Sequence, residues 1–174
     1  VSGPPSPATP LRVATLNVEL GLGAPGSAGF EAAIDILERI NADVVALQEL
    51  DRPDFEGSPN SFESLAAALD YPHLHAATAQ GVLDFGMRAG FLSRYPISSA
   101  TNIASPAGAR DMARQIPAIV VDLPTITADP TIVTLHLKCC LDPDDPFRRA
   151  VELQRATDHL ALQGLTAGDN VIVL

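Results

Sequence analysis

Residues 44–47 read Val-Val-Ala-Leu, an uninterrupted apolar run of the length expected for a β-strand that is buried on both faces. Just before this run, residues 30–40 carry apolar side chains at helical spacing, namely Phe30, Ala33, Ile34, Leu37 and Ile40. A strand without a polar face has to be covered on both sides, and an amphipathic helix can cover one of them. The two segments together predict a layered α/β protein.

The rest of the chain continues this alternation of strands and helices. A second helix is predicted at residues 61–69, opened by a capping box of Asn60 and Glu63, and a long third helix at residues 147–162. Further strands are predicted at residues 11–18, 73–77, 88–93, 97–103, 116–122, 131–137 and 171–174.

The first ten residues differ in composition from the remainder. They are rich in proline and small polar side chains, so residues 1–10 are interpreted as a linker or a trimmed terminus before one domain at residues 11–174. Such a stretch often follows a removed export signal, which favours an exported or periplasmic location over a cytoplasmic one. No stretch of the sequence is apolar for long enough to form an integral membrane segment.

The chain is strongly acidic, with a formal net charge of -10. Such a surface repels nucleic acid phosphates and gains nothing from counterion release, and it disfavours anionic membranes as well. A bound divalent cation can nevertheless invert the field inside one cleft. The charge therefore argues against a tight duplex binder without arguing against an enzyme that acts on phosphoesters.

The two cysteines, Cys139 and Cys140, are adjacent in the sequence. Neighbouring cysteines form a disulfide only with strain, and a zinc site needs further ligands at characteristic spacing. The pair therefore indicates neither a disulfide framework nor a zinc site, and we expect one buried and one partly exposed thiol.

Polar side chains stand at the ends of predicted strands. Asn17 ends one strand, Glu49 follows the apolar run at 44–47, and His136 lies inside the strand predicted at 131–137. The ends of buried strands line the functional crevice of layered α/β proteins. A carboxylate, an amide and an imidazole that meet there would suit a divalent metal and a phosphoryl group. Taken singly, each has an ordinary reading as a helix cap, a turn residue or a core histidine.

Four segments, in this order, resemble motifs of the endonuclease/exonuclease/phosphatase superfamily. They are RVATLN at residues 12–17, ADVVALQE at 42–49, GFLSRYPI at 90–97 and TLHLK at 134–138. The resemblance implies a four-layer α-β-β-α sandwich of the deoxyribonuclease I-like kind, in which two sheets pack face to face with helices outside. It also implies a phosphodiesterase, nuclease or phosphatase that hydrolyses a phosphoester by attack of an activated water.

The resemblance assigns roles to particular residues. It implies that Glu49 binds Mg²⁺, with Mn²⁺ or Ca²⁺ as alternatives, and that Asn17 beside it helps to hold the metal and orients its water or the phosphate. It implies that His136 hydrogen-bonds the phosphate and acts as a general acid toward the leaving oxygen. Arg114 resembles a family arginine that contacts the substrate phosphate, although its alternative reading is a surface ion-pair partner.

The chain departs from the family pattern in its second half. The family carries a Gly-Asp-x-Asn motif and a later Asp-His pair, whereas this chain stops at Leu174, in the strand that leads into the first of them. We therefore expect a chain truncated before the second half, which lacks the catalytic Asp and the final His and is inactive alone. We also expect the second sheet to be largely absent and the inner face of the first to be exposed. A carboxylate that supports the histidine in some family nucleases is replaced by Met87.

Three functions remain open at this point. The first is a magnesium-dependent phosphoester hydrolase whose substrate is a small or lipid-like phosphoester in preference to nucleic acid, given the acidic charge. The second is a catalytically inactive binding or scaffolding module with the same fold. The third is an unrelated doubly wound domain that matches the strand-end pattern by chance.

Overall fold

The computed structural model describes residues 10–19, 21–50, 60–78, 87–109, 111–124, 126 and 128–174. Apart from Pro10, the predicted linker or trimmed terminus lies outside the described residues. Within these ranges the chain forms three helices: α1 Ala28–Ile40, α2 Ser61–Ala68 and α3 Asp145–Leu162. The eight strands in the same ranges are β1 Val13–Asn17, β2 Val44–Gln48, β3 His73–Ala76, β4 Gly90–Ser93, β5 Ile97–Ile103, β6 Ile116–Val121, β7 Thr131–Val133 and β8 Val171–Val173.

The strands form two four-stranded sheets. The first has the order β1-β2-β4-β3, with β1 and β2 parallel and the other neighbours antiparallel. The second has the order β5-β6-β7-β8, in which only the pair β7–β8 is parallel. All five residues of β2 are buried, which confirms the prediction of a strand covered on both faces.

The two sheets pack face to face through a shared apolar layer. The first sheet contributes Val44, Ala46 and Phe91, and the second contributes Ile119, Val121 and Ile132, all fully buried. Helices α1 and α2 cover the outer face of the first sheet, and α3 covers that of the second. The described residues thus form the predicted four layers.

The expectation that the second sheet would be largely absent is wrong. Strands β5 to β8 all come from this chain, and their apolar side chains pack on the inner face of the first sheet. What remains open is a cavity of about 520 Å³ beside the shared layer, lined by apolar side chains that include Leu11, Tyr95, Leu123 and Ile172.

The first residues of the three helices differ in how they are capped. The side chain of Ser27 caps α1 by accepting a hydrogen bond from the backbone N–H of Phe30. The predicted capping box is wrong, because the side chain of Asn60 makes no cap bond, and Ser61 donates its hydroxyl to the carbonyl of Gly23 instead. Helix α3 begins two residues earlier than predicted, with proline in its first turn, where proline is well tolerated. None of the described helices combines the length and the apolarity needed to span a membrane.

Candidate functional site

The site begins where two parallel strands end side by side. Asn17 is paired with Gln48 in the register of β1 and β2, so Glu49 leaves β2 next to Asn17. Glu49 adopts a left-handed backbone conformation with φ 59°, which turns the chain at the strand end. The Asn17 Nδ2 group donates to Glu49 Oε1 at 3.0 Å, and Asn17 Oδ1 accepts from the backbone N–H of Glu19 at 2.8 Å.

His136 reaches the same carboxylate oxygen from the segment that follows β7. Its Nε2 lies 3.3 Å from Glu49 Oε1, and the two side chains are only 15% and 14% exposed. The prediction that His136 lies inside a strand is wrong, because β7 ends at Val133. Backbone hydrogen bonds from Thr134 to the carbonyl of Pro117 and from Leu135 to that of Leu174 continue beyond β7, and His136 directly follows them. The side chains of Asn17 and His136, from two different parts of the fold, therefore meet at one oxygen atom of Glu49.

A buried amide ties the two sheets together directly beneath this point. Gln48 Nε2 donates to Thr15 Oγ1 at 2.9 Å and to Thr134 Oγ1 at 2.8 Å. Thr15 belongs to β1, and Thr134 follows β7 in the other sheet. This bridge fixes the distance between the strand that carries Glu49 and the segment that carries His136. It was missed in the sequence, although a glutamine at the last position of an apolar strand is an available signal.

Arg114 lies behind His136 instead of on the surface. Arg114 is only 7% exposed, so the alternative interpretation of Arg114 as a surface ion-pair partner is wrong. Its NH1 donates to the carbonyl of His136 at 2.9 Å and to that of Leu137 at 3.3 Å, and its NH2 points at the sulfur of Met87 at 3.4 Å. Met87, at the position of the expected carboxylate, thus contacts Arg114. Contact of Arg114 with a phosphate stays a prediction.

A buried carboxylate on α3 fixes both segments at once. Glu152 is 1% exposed, and its Oε1 accepts from the backbone N–H of Ala113 at 3.0 Å. Its Oε2 accepts from the N–H of Lys138 at 2.8 Å. One carboxylate therefore anchors the residue before Arg114 and the second residue after His136. Sequence reasoning missed it; the available signal was an acidic residue on the inward face of an amphipathic helix, one turn before Ala156.

The protonation state of the histidine follows from its surroundings. Burial, with a smaller contribution from the positive charge of Arg114, lowers the pKa of His136 to about 4, and the carboxylate of Glu49 opposes the shift. His136 is therefore neutral at neutral pH. Since Nε2 faces a carboxylate oxygen, its proton belongs on Nε2. Nδ1 of His136 and Nε of Arg114 are then buried polar atoms for which the described part of the chain offers no hydrogen-bond partner.

The donor set fits a hard cation that keeps most of its water. A carboxylate and an amide are oxygen ligands of the kind that Mg²⁺ takes, and Mg²⁺ is usually held by one or two carboxylates plus waters and substrate phosphates. Asn17 Oδ1 already accepts a hydrogen bond from the Glu19 N–H. Among the three converging side chains, Glu49 is the anionic one and therefore the strongest candidate for a metal ligand. The described ranges contain no group of three or more His, Cys, Asp or Glu side chains able to hold a metal. Away from this site, Nε2 of His75 on β3 hydrogen-bonds Oδ1 of Asn102 on β5 at 2.8 Å.

A four-layer sandwich with these strand-end side chains defines a protein of the deoxyribonuclease I-like fold. The sequence profile of the Endonuclease/Exonuclease/phosphatase family matches residues 14–174. The chain belongs to this family, as its motifs predict, and the reading as an unrelated doubly wound domain is wrong. A search of curated protein sequences found no significant match.

Solved structures with the same fold are distant in sequence. Sphingomyelinase C from Streptomyces griseocarneus is 18% identical, with a TM-score of 0.65, and the match covers 95% of this chain and 63% of that one. An endonuclease/exonuclease/phosphatase from Beutenbergia cavernae is 20% identical, with a TM-score of 0.64 and coverage of 86% and 44%. D. rerio TDP2, in complex with a single-strand DNA product, is 19% identical, with a TM-score of 0.63 and coverage of 94% and 58%. The chain thus spans between 44% and 63% of the length of these proteins.

Proposed function

We propose that the protein is a metal-dependent phosphoester hydrolase in which Glu49 binds Mg²⁺, or Mn²⁺ or Ca²⁺ in its place. The observation that carries this proposal is the convergence on Glu49 Oε1 of Asn17 Nδ2 at 3.0 Å and His136 Nε2 at 3.3 Å. Membership of a family of phosphoester hydrolases gives a functional explanation for a buried imidazole and an amide that are held around one carboxylate. When bound, the cation would stabilise phosphoryl charge and lower the pKa of a coordinated water.

Asn17, His136 and Arg114 would each have a separate role in the reaction. Asn17 holds the carboxylate of Glu49 in one orientation through its Nδ2 group. His136 hydrogen-bonds a phosphoryl oxygen through its Nε2–H group and, in its protonated form, donates a proton to the leaving oxygen as a general acid. The negative charge of a phosphoryl group favours proton binding at the imidazole, which opposes the effect of burial. Arg114, buried behind His136, adds positive charge against the charge that develops on the phosphoryl oxygens.

Glu49 and His136 have other roles in this proposal, and the described residues contain no group of three or more His, Cys, Asp or Glu side chains to which a water-activating base could belong. We propose that the base is the aspartate of the Gly-Asp-x-Asn motif, which these 174 residues do not contain. The 174-residue chain would then bind metal and phosphate without turning over. A binding or scaffolding module is the alternative, and it predicts that the longest product of the gene is equally inactive.

The substrate is proposed to be a small or lipid-like phosphodiester in preference to nucleic acid. A net charge of -10 raises the cost of holding a polyanion along an extended surface. The solved structures with this fold include both a sphingomyelinase C and a protein bound to a DNA product, so the fold alone does not decide between the two.

The test is hydrolysis of bis(p-nitrophenyl) phosphate, sphingomyelin and single-stranded DNA by the longest gene product, with Mg²⁺ or with EDTA. We expect EDTA-sensitive hydrolysis, a loss of at least about 100-fold in kcat/KM for Glu49→Gln, and a loss of about 100-fold to 10,000-fold for His136→Asn. Glu38→Gln, an exposed carboxylate on α1, is the matched control and should stay within about twofold. Hydrolysis that persists in EDTA, or in Glu49→Gln, would contradict the proposal.

A further inference from the structure

The two cysteines are arranged as a dithiol and not as separate thiols. Cys139 and Cys140 are both exposed, and their Sγ atoms lie 2.6 Å apart. The expectation of one buried and one partly exposed thiol is therefore wrong. Both side chains point to the same side of a turn that follows the His136 segment, in contact with each other and with solvent.

The backbone of this turn is held by side chains of its neighbours. Cys140 has φ 82°, a left-handed conformation that a residue other than glycine adopts only at a cost. Arg149 on α3 donates from one nitrogen to the carbonyls of Lys138 at 3.0 Å and Cys140 at 3.2 Å. Glu152 holds the N–H of Lys138 from the other side. These contacts keep the backbone in the shape that brings the two sulfur atoms together.

We propose that Cys139 and Cys140 are a redox modification site, at which a small disulfide such as glutathione disulfide oxidises the dithiol reversibly to an intramolecular disulfide. Consecutive Cα atoms across a trans peptide are about 3.8 Å apart, whereas disulfide-bonded residues usually have Cα atoms about 4.4–6.8 Å apart. A disulfide between neighbours is therefore strained and easily reduced, which suits a switchable modification better than a structural cross-link.

The exchange proceeds in two balanced steps. Lys138 Nζ lies 3.9 Å from Cys139 Sγ, and the hydrogen bond with the Cys139 thiol raises the pKa of Cys140, so Cys139 attacks first. The Cys139 thiolate bonds to one glutathione sulfur, the glutathione S–S bond breaks, and the first glutathione leaves as a thiol with the proton that Cys139 lost. Cys140 then loses its proton and attacks Cys139 Sγ, and the second glutathione leaves with that proton. The protein dithiol loses two electrons, and one glutathione disulfide gains them.

The site lies close enough to His136 to affect it. Closing an eight-membered ring at residues 139–140 changes the torsions of that peptide and moves the carbonyls that Arg149 holds. The segment from 136 to 142 also contains the two carbonyls that bind Arg114. Oxidation should therefore loosen this segment while leaving β2 unchanged.

The experiment is intact-mass measurement of the 174-residue chain after incubation with glutathione disulfide and quenching with N-ethylmaleimide. It uses neither metal nor substrate, so its outcome is independent of the proposed hydrolase function. We expect the wild-type chain to lose the mass of two hydrogen atoms and to take up no maleimide, and dithiothreitol to reverse this. The single variants Cys139→Ser and Cys140→Ser should each gain one glutathione instead.

Three results would overturn the proposal: a wild-type chain that keeps both thiols, one that accumulates a glutathione adduct, or one that forms disulfide-linked dimers. Since both thiols are exposed, the serine variants should unfold at the wild-type temperature, which shows that the comparison is between folded proteins. Hydrogen–deuterium exchange of the oxidised chain should rise in residues 136–142 and not in β2. Unchanged exchange in residues 136–142 would overturn the coupling to His136.

Discussion

Replacing Glu152 by glutamine removes the charge that joins the two loops of the site while keeping the size of the side chain. The carboxylate accepts two backbone N–H groups, from Ala113 and Lys138, at 3.0 and 2.8 Å. A glutamine can accept only one of these, because its NH2 group is a donor. The variant therefore leaves one backbone N–H facing another donor in an almost fully buried position.

The magnitude follows from the two hydrogen bonds. A hydrogen bond to a charged group contributes about 1.5–3 kcal/mol, and an unsatisfied buried donor costs a similar amount. Relief of the buried charge offsets part of this loss. We expect Glu152→Gln to lower the free energy of unfolding by about 2 kcal/mol. For a chain of this size the corresponding fall in Tm is about 4–8 °C.

The assay combines thermal unfolding with amide hydrogen exchange measured by NMR. The amides of Ala113 and Lys138 should lose protection in Glu152→Gln, and the exposed control Glu38→Gln should unfold within about 0.5 kcal/mol of wild type. If Glu152→Gln were as stable as wild type and the Lys138 amide stayed protected, the carboxylate would not be the anchor described above. A fall in Tm without loss of protection at these two amides would place the effect elsewhere in α3.

Two further predictions concern stability. In metal-free buffer, stability should fall as the pH drops from about 6.5 toward 4, because the unfolded chain binds a proton at His136 that the folded chain, with a pKa of about 4, does not. The difference between the pKa values of His136 in the unfolded and folded chain corresponds to about 3 kcal/mol, which partial hydration of the ring reduces to about 1–2 kcal/mol. Calorimetry of His136→Asn should show a flatter dependence of stability on pH. An unchanged dependence would disprove the lowered pKa of His136. Gly90→Ala should cost about 1–3 kcal/mol in denaturant unfolding, because its Cβ would lie 2.7 Å from the carbonyl oxygen of His75. Gly29→Ala, where the nearest atom is 3.9 Å away, should be neutral or stabilising, and equal effects of the two alanines would refute the packing argument.

The sequence predicted the elements whose signals are local. The apolar run at 44–47 and the helical spacing at 30–40 became β2 and α1, since each pattern depends only on neighbouring residues. Strand-end placement brought Asn17 and Glu49 together, because parallel neighbours in register end at the same edge of a sheet.

Long-range contacts explain most of what the sequence did not predict. Nothing near Glu152 in the chain indicates that its partners are 14 and 39 residues away. The bridge from Gln48 to Thr134 spans 86 residues, and the pairing of the sheets that makes it is equally non-local. The second sheet was misjudged for a similar reason, since single strands can be predicted from alternation but their partners cannot.

Glu49 is the residue that we propose as the protein ligand of a divalent cation. The most direct test is titration of the ¹⁵N-labelled chain with Mn²⁺, whose paramagnetism broadens the amide signals nearest to it. We expect broadening centred on residues 17, 49 and 136, abolished by Glu49→Gln and unaffected by Asp144→Asn, an exposed carboxylate before α3. Broadening centred on the acidic turn at 142–145, or broadening at residue 49 that survives Glu49→Gln, would contradict it.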